Sequence, residues 1–253
     1  MKLPPKKNIN TKFYSVFKFI LLLLLLLNSK SVSAQTSKDP FKVKGFVDFN
    51  IYNDTRNFNT LTYNILLQLS ERVQYFSLTN NDGFLGSPDL ATTYAEHNLR
   101  YKITKKSPLD ITMQYVLRKG EQNDDIKLGF RWRFNNTKKL DRFFKKMNLS
   151  YSINLMMVQF RNQSKTKYGT QLEHVYNINL FSKKLNNRLY LGGFADQIIN
   201  YNNGNISFTW VTEHQLGYKF FDRLYLVLEY RVNQFFTKKQ SGLGYGLEYK
   251  VTF

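Results

Sequence analysis

The side chains most capable of acid–base or metal chemistry are arranged in a way that argues against both. Three histidines follow residue 34: His97, His174 and His214. A glutamate precedes each, at Glu96, Glu173 and Glu213. A carboxylate within reach of an imidazole can orient it as a general base. The surrounding segments alternate in polarity, however, and neighbours along a strand point to opposite faces. The two members of each pair therefore diverge, and a metal site would have to be assembled across strands. No recognised nucleophile motif accompanies them. The chain also lacks cysteine, which removes thiolate chemistry, disulfides and a lipidated cysteine. No catalytic residue, metal site or cofactor is implied.

The alternation does collect polar and aromatic groups on one side. Tyr94, Glu96, Arg131, Arg133, Asp196, Glu213, Gln215, Tyr225, Glu229 and Arg231 are the candidate solute-lining residues. Carboxylates and amides offer hydrogen bonds to a polar solute, and aromatic faces stack on a planar one.

Strands must position these groups. Ile126, Leu128, Phe130, Trp132 and Phe134 share one face, with Lys127, Gly129, Arg131 and Arg133 on the other. The segment 206–218 repeats the pattern, with Phe208, Trp210 and Leu216 opposing Glu213 and Gln215. At 224–232, Leu224, Leu226, Leu228 and Tyr230 oppose Tyr225, Glu229 and Arg231. The last segment sets Leu243, Tyr245, Leu247, Tyr249, Val251 and Phe253 against Gly242, Gly244, Gly246, Glu248 and Lys250. A soluble sandwich also alternates, but its strands run about 5–6 residues. These segments run to about 10–15 residues, and a tilted membrane-crossing strand needs ~9–11. Twelve such segments are predicted, near 42–53, 60–70, 72–80, 91–104, 109–119, 124–135, 147–160, 167–181, 188–199, 205–219, 223–236 and 241–253. The third gives no parity, because aromatics and small polar residues occupy both faces. In the ninth, Phe194 shares a face with Asp196. An even number of strands closing on itself leaves no edge in hydrocarbon. The expected fold is an all-β transmembrane antiparallel barrel of about twelve strands.

Residues 1–34 read as a cleaved secretory signal peptide, leaving residues 35–253 as the barrel. Lys2, Lys6, Lys7, Lys12 and Lys18 precede an apolar run from Phe19 to Leu27, with Val32 and Ala34 at the cleavage positions. That run is too short for a spanning helix, which needs ~20 residues. Removing the six lysines of this segment lowers the formal net charge from +19 to +13. A basic balance fits anionic headgroups, an anionic solute or nucleic acid. A membrane barrel selects lipid over nucleic acid. The expected location is the outer membrane of a Gram-negative bacterium.

With the N-terminus in the periplasm, the 135–146 stretch is a long periplasmic turn carrying Lys138, Lys139, Arg142, Lys145 and Lys146. The longest outer loop, 80–90, has the length to fold over the mouth. The closing Tyr249 to Phe253 carries aromatics at its last and fifth-last positions. That pattern resembles the C-terminal signal read by the barrel-assembly machinery, with Phe253 as the key residue.

Leu191-Gly192-Gly193-Phe194-Ala195-Asp196, the Thr212-Glu213-His214-Gln215 stretch and the glycine-rich final strand together resemble the Tsx-like family of nucleoside-specific outer-membrane channels, in its short form. The resemblance implies a twelve-stranded barrel with a narrow pore, no cofactor, and passive passage of nucleosides. It carries over to Asp196, Glu213 and Gln215. Two other functions fit the pattern. One is a structural or assembly barrel without transport, docking a partner through the basic turn. The other is a lipid-modifying outer-membrane enzyme, which would need a nucleophile–histidine–acid arrangement.

Overall fold

The computed structural model describes residues 41–83, 92–118, 124–161, 168–202 and 205–253. The expected signal peptide and most of the loop expected to cover the mouth lie outside the described residues. Twelve strands form one closed antiparallel barrel. They are β1 (Lys44–Asp54), β2 (Phe58–Gln68), β3 (Val73–Asp82), β4 (Thr92–Lys102), β5 (Leu109–Arg118), β6 (Asp125–Arg133), β7 (Leu149–Arg161), β8 (Tyr168–Leu180), β9 (Leu189–Asn202), β10 (Asn205–Lys219), β11 (Leu224–Asn233) and β12 (Ser241–Thr252). Each pairs with its sequence neighbours. β12 returns to β1 in a register running from Phe46 opposite Thr252 to Asp54 opposite Gly244. Phe253 extends this seam through two backbone hydrogen bonds with Gly45, at 2.9 and 3.1 Å.

Polarity is inverted relative to a water-soluble protein. The largest fully buried side chains include Gln114, Gln171, Glu248, Asn50, Asn98, Asn154 and Asp110, with Met156 and Val116 as the apolar exceptions. Phe49, Ile111, Phe130, Trp132, Leu226, Leu228 and Tyr230 lie exposed on the outer wall. Polar groups enter an interior only where partners exist, and large apolar residues avoid water. This distribution is stable when the surrounding medium is hydrocarbon and every backbone group is paired around the barrel. Aromatics band the outer wall near both ends. Tyr75, Tyr101, Trp132, Tyr151, Tyr218 and Tyr249 lie toward one rim; Tyr115, Phe160, Tyr201, Phe208 and Tyr245 lie toward the other. Such rings suit the amphipathic interface of a bilayer.

The register resolves the two ambiguous strands. On β3, pairing with β2 places Gln74, Phe76, Leu78, Asn80 and Asp82 inside. Tyr75, Ser77 and Thr79 are outside, with Ser77 flanked in register by Ile65 and His97. On β9, Tyr190, Phe194, Asp196 and Ile198 all face inward. A bulge shifts β7 against β6 between Leu128 and Gly129, making Met157 the extra residue and preserving an inward Gln159 beyond it.

Because the strand number is even, both ends of the barrel chain meet one rim, here termed the termini-side rim. The β6–β7 connection lies there. The sequence suggested a plain turn; the chain instead folds into a 3-10 turn (Phe134–Asn136) and a helix, α1 (Asp141–Lys146).

Candidate functional site: the barrel interior

All ten candidate residues project into the interior, as their pairing partners require. Charge there is organised in connected groups. Toward the termini-side rim, Asp110 on β5 receives two arginines from β6. Arg131 Nε donates to its Oδ2 at 2.7 Å, and Arg133 Nη2 to its Oδ1 at 3.0 Å. Arg131 also donates to Gln74 Oε1 at 2.9 Å, as does Arg100 at 3.3 Å. One carboxylate and one amide thus hold three guanidinium groups, through charge-assisted bonds that are stronger than neutral ones.

At mid-height, Glu96 accepts from Tyr94 Oη at 2.9 Å and from Asn98 Nδ2 at 2.6 Å. Asn154 donates to Glu173, and Lys127 to Gln171. Asp196 stands beside Glu173 in register. The carboxylates of Glu96, Glu173 and Asp196 repel one another, with Lys127 and Arg100 as the offsetting cations.

Two further groups line the opposite wall. Arg231 pairs with Glu229 and lies 3.8 Å from both Glu213 and Asp82, the latter reached from β11 to β3. Tyr52 Oη donates to Glu229 Oε2 at 2.9 Å. Beyond them, Asp54 and Arg56 form a bidentate pair at 2.8 Å. Toward the termini-side rim, Tyr190 donates to Glu248. Gln215 Nε2 reaches Asn50 Oδ1 and Glu248 Oε2, each at 3.3 Å. Lys250 sits 3.6 Å from both Asp48 and Glu248. Tyr225 meets the Tyr190 ring edge-on at 5.8 Å between centroids.

Glycine makes room for this last group. A Cβ at Gly217 would lie 2.2 Å from the Tyr190 ring, so any other residue would displace that tyrosine from Glu248. Gly193 serves the outer wall. Its φ of +152° and its approach to the Glu213 carbonyl exclude a side chain. The space above it lets Tyr176 Oη reach His214 Nδ1 at 2.8 Å across an intervening strand. His97 and His174 likewise bond Tyr75 and Tyr151, at 2.8 and 2.7 Å, on the outer wall. The glutamates preceding all three face the interior, so no Glu–His dyad forms within a strand.

Asp110, Asp82 and Gln74 belong to the interior network and were not singled out from the sequence. Asp110 was readable from its place between Leu109 and Ile111. Gln74 and Asp82 lie on the strand without clear parity and carried no such signal.

The network leaves polar atoms over. Among the described residues, Asn64 Oδ1, Arg100 Nε, Thr112 Oγ1, Gln114 Oε1, Asn154 Oδ1, Asp196 Oδ1 and Arg231 Nη2 are buried with no protein partner. A buried donor or acceptor left unpaired costs roughly 1–3 kcal/mol. Groups of this kind are normally completed by water or a polar ligand.

Fold and interior together define a closed, membrane-spanning antiparallel barrel with a polar inner wall. No family model and no curated protein matches the chain. Among solved structures, the NanC porin matches 80% of this chain and 97% of its own at 8% identity, with a TM-score of 0.53. The KdgM porin matches 81% and 98% at 14% identity, with a TM-score of 0.49. An outer membrane channel from Pseudomonas putida F1 matches 87% and 98% at 9% identity, with a TM-score of 0.43. At these identities the likeness is one of fold.

Proposed function

We propose that this chain is a narrow outer-membrane channel for passive diffusion of small polar solutes, nucleosides among them. The observation that carries this reading is the set of buried polar atoms without a protein partner on the inner faces of several strands, Asn64 Oδ1, Asp196 Oδ1 and Arg231 Nη2 among them. They ask for water or solute hydroxyls along the interior. Tyr52, Tyr94, Tyr190 and Tyr225 add aromatic surfaces for a planar base. Asp196, Glu213 and Gln215, the positions carried by the Tsx-like resemblance, supply acceptors and an amide for a sugar. The barrel fold shared with solved porins supports an outer-membrane site, reached after signal-peptide removal and inserted through the Phe253 signal. Deleting Phe253 is expected to lower the surface-exposed fraction in cells.

Liposome swelling with matched nucleosides, sugars and amino acids tests the channel. The expected order is nucleosides fastest. Equal rates for all three would remove nucleoside preference, and no swelling would remove the channel. A structural barrel without transport is the second reading. It is favoured by side chains that fill the interior, Asn98, Thr112, Gln114 and Asn154 being fully buried. No swelling from a correctly inserted barrel is its signature. Lipid hydrolysis without swelling would support the enzyme instead.

A further inference from the structure

The β6–β7 connection does not hang in water beside the barrel; it is fastened to the lipid-facing wall. Trp132 and Phe134 stack at 4.4 Å between centroids, and Phe134 meets both Tyr151 at 5.0 Å and Phe144 at 5.9 Å. Phe144 of α1 lies almost parallel to Tyr151, with an interplanar angle of 4°. It is the buried residue of the helix. Phe143 meets Phe144 edge-on at 5.3 Å between centroids and still stands open on its outer side. Phe143 is 57% exposed, and Leu140 and Met147 are also open. Exposed apolar residues at the end of a lipid-facing aromatic stack are at home in a bilayer interface, not in bulk water.

Beside α1 lies an open cavity of about 730 Å³. Its rim carries Lys138 and Lys145 and the amides of Asn135, Asn136, Asn148 and Asn179; Phe144 and Leu149 form an apolar side. Asp141 is the one acid lining it, held 3.3 Å from Lys145 as an exposed pair of little strength. The surrounding rim is basic. Across the five connections on the termini side, the chain carries twelve lysines and arginines against three acids. The connections of the opposite rim carry six against three.

We propose that this cavity is a binding site for the headgroup of an anionic phospholipid in the leaflet at the termini-side rim. The phosphodiester sits among Lys138, Lys145 and the asparagine amides, and the acyl chains lie along Phe144, Leu149 and the outer wall. Amides and ammonium groups donate to phosphate oxygens, while the apolar side matches the glycerol and chain region. A soluble anion would use only half of these features.

Trp132 supplies a reporter within the stack. A W210F variant of the full chain leaves it as the sole tryptophan. The protein is reconstituted in phosphatidylcholine vesicles holding a trace of brominated phosphatidylglycerol or brominated phosphatidylcholine. Phosphatidylglycerol is expected to quench Trp132 at least about fivefold more effectively, the scale that one basic residue near an anionic surface supports. K138Q/K145Q in the same background should remove the preference. K183Q/K184Q, with equal charge loss on the neighbouring connection, should retain it. Excess inorganic phosphate at matched ionic strength should leave it unchanged. Equal quenching by the two lipids would overturn the proposal. So would equal loss in both lysine pairs, which indicates a diffuse rim field, or displacement by inorganic phosphate, which indicates a site for a free anion.

Discussion

Two opposed walls of the interior solve the same problem differently. On β4–β6, six cations, Arg100, Lys102, Arg118, Lys127, Arg131 and Arg133, share the inner face with Glu96, Asp110 and Asp125. On β9–β12 and β1, six acids face inward: Asp196, Glu213, Glu229, Glu248, Asp48 and Asp54. Arg231 is the cation of that wall's middle, with Lys44, Lys219 and Lys250 toward the termini-side rim. On the basic wall Asp110 holds two arginines toward the termini-side rim, and Asp125 pairs with Arg118 at 3.1 Å toward the other. The acidic wall spreads its pairing, since Arg231 answers to Glu229, Glu213 and Asp82. The Arg131–Arg133 cluster thus depends on a single carboxylate, whereas Arg231 has three within reach. Opposed charge of this kind sets up a transverse field between the two walls.

The largest expected effect follows from the dependence on Asp110. Asp110→Ala leaves the buried Arg131 and the half-buried Arg133 without their carboxylate. A loss of about 3–5 kcal/mol is expected in urea unfolding of the refolded barrel. Glu229→Ala should lose less, about 1–2 kcal/mol, because Glu213 and Asp82 stay near Arg231. Similar losses in the two variants would break the contrast between the walls. The smallest effect is on selectivity. In a salt gradient, Asp196→Ala with Glu213→Ala should move the reversal potential toward anion preference without loss of folding. Arg131→Gln with Arg133→Gln should move it toward cations. Shifts of the same sign, or none, would show that the walls do not set the field.

Much of this was legible from sequence because strand parity is a two-valued property. Once Lys127, Arg131 and Arg133 share a face opposite Phe130 and Trp132, burial of one set and exposure of the other follow together. All twelve strands fall close to the predicted segments for the same reason. Parity failed on β3, where Ser77 and Thr79 face outward, because small residues give no contrast with their neighbours. It had no access to pairs made across the interior. Arg231 with Asp82 and Gln215 with Asn50 depend on closure and register, which the alternation of one strand does not encode. The β6–β7 connection was read from its basic residues alone. Its aromatics, Phe134, Phe143 and Phe144, were the signal that it folds back on the wall.

The most direct test of a polar path through the membrane is single-channel recording of the refolded full chain in a planar bilayer. Discrete, steady conductance steps that fall when a nucleoside is added on one side are the expected result. A barrel shown to be inserted and folded, yet silent at every voltage, would contradict it.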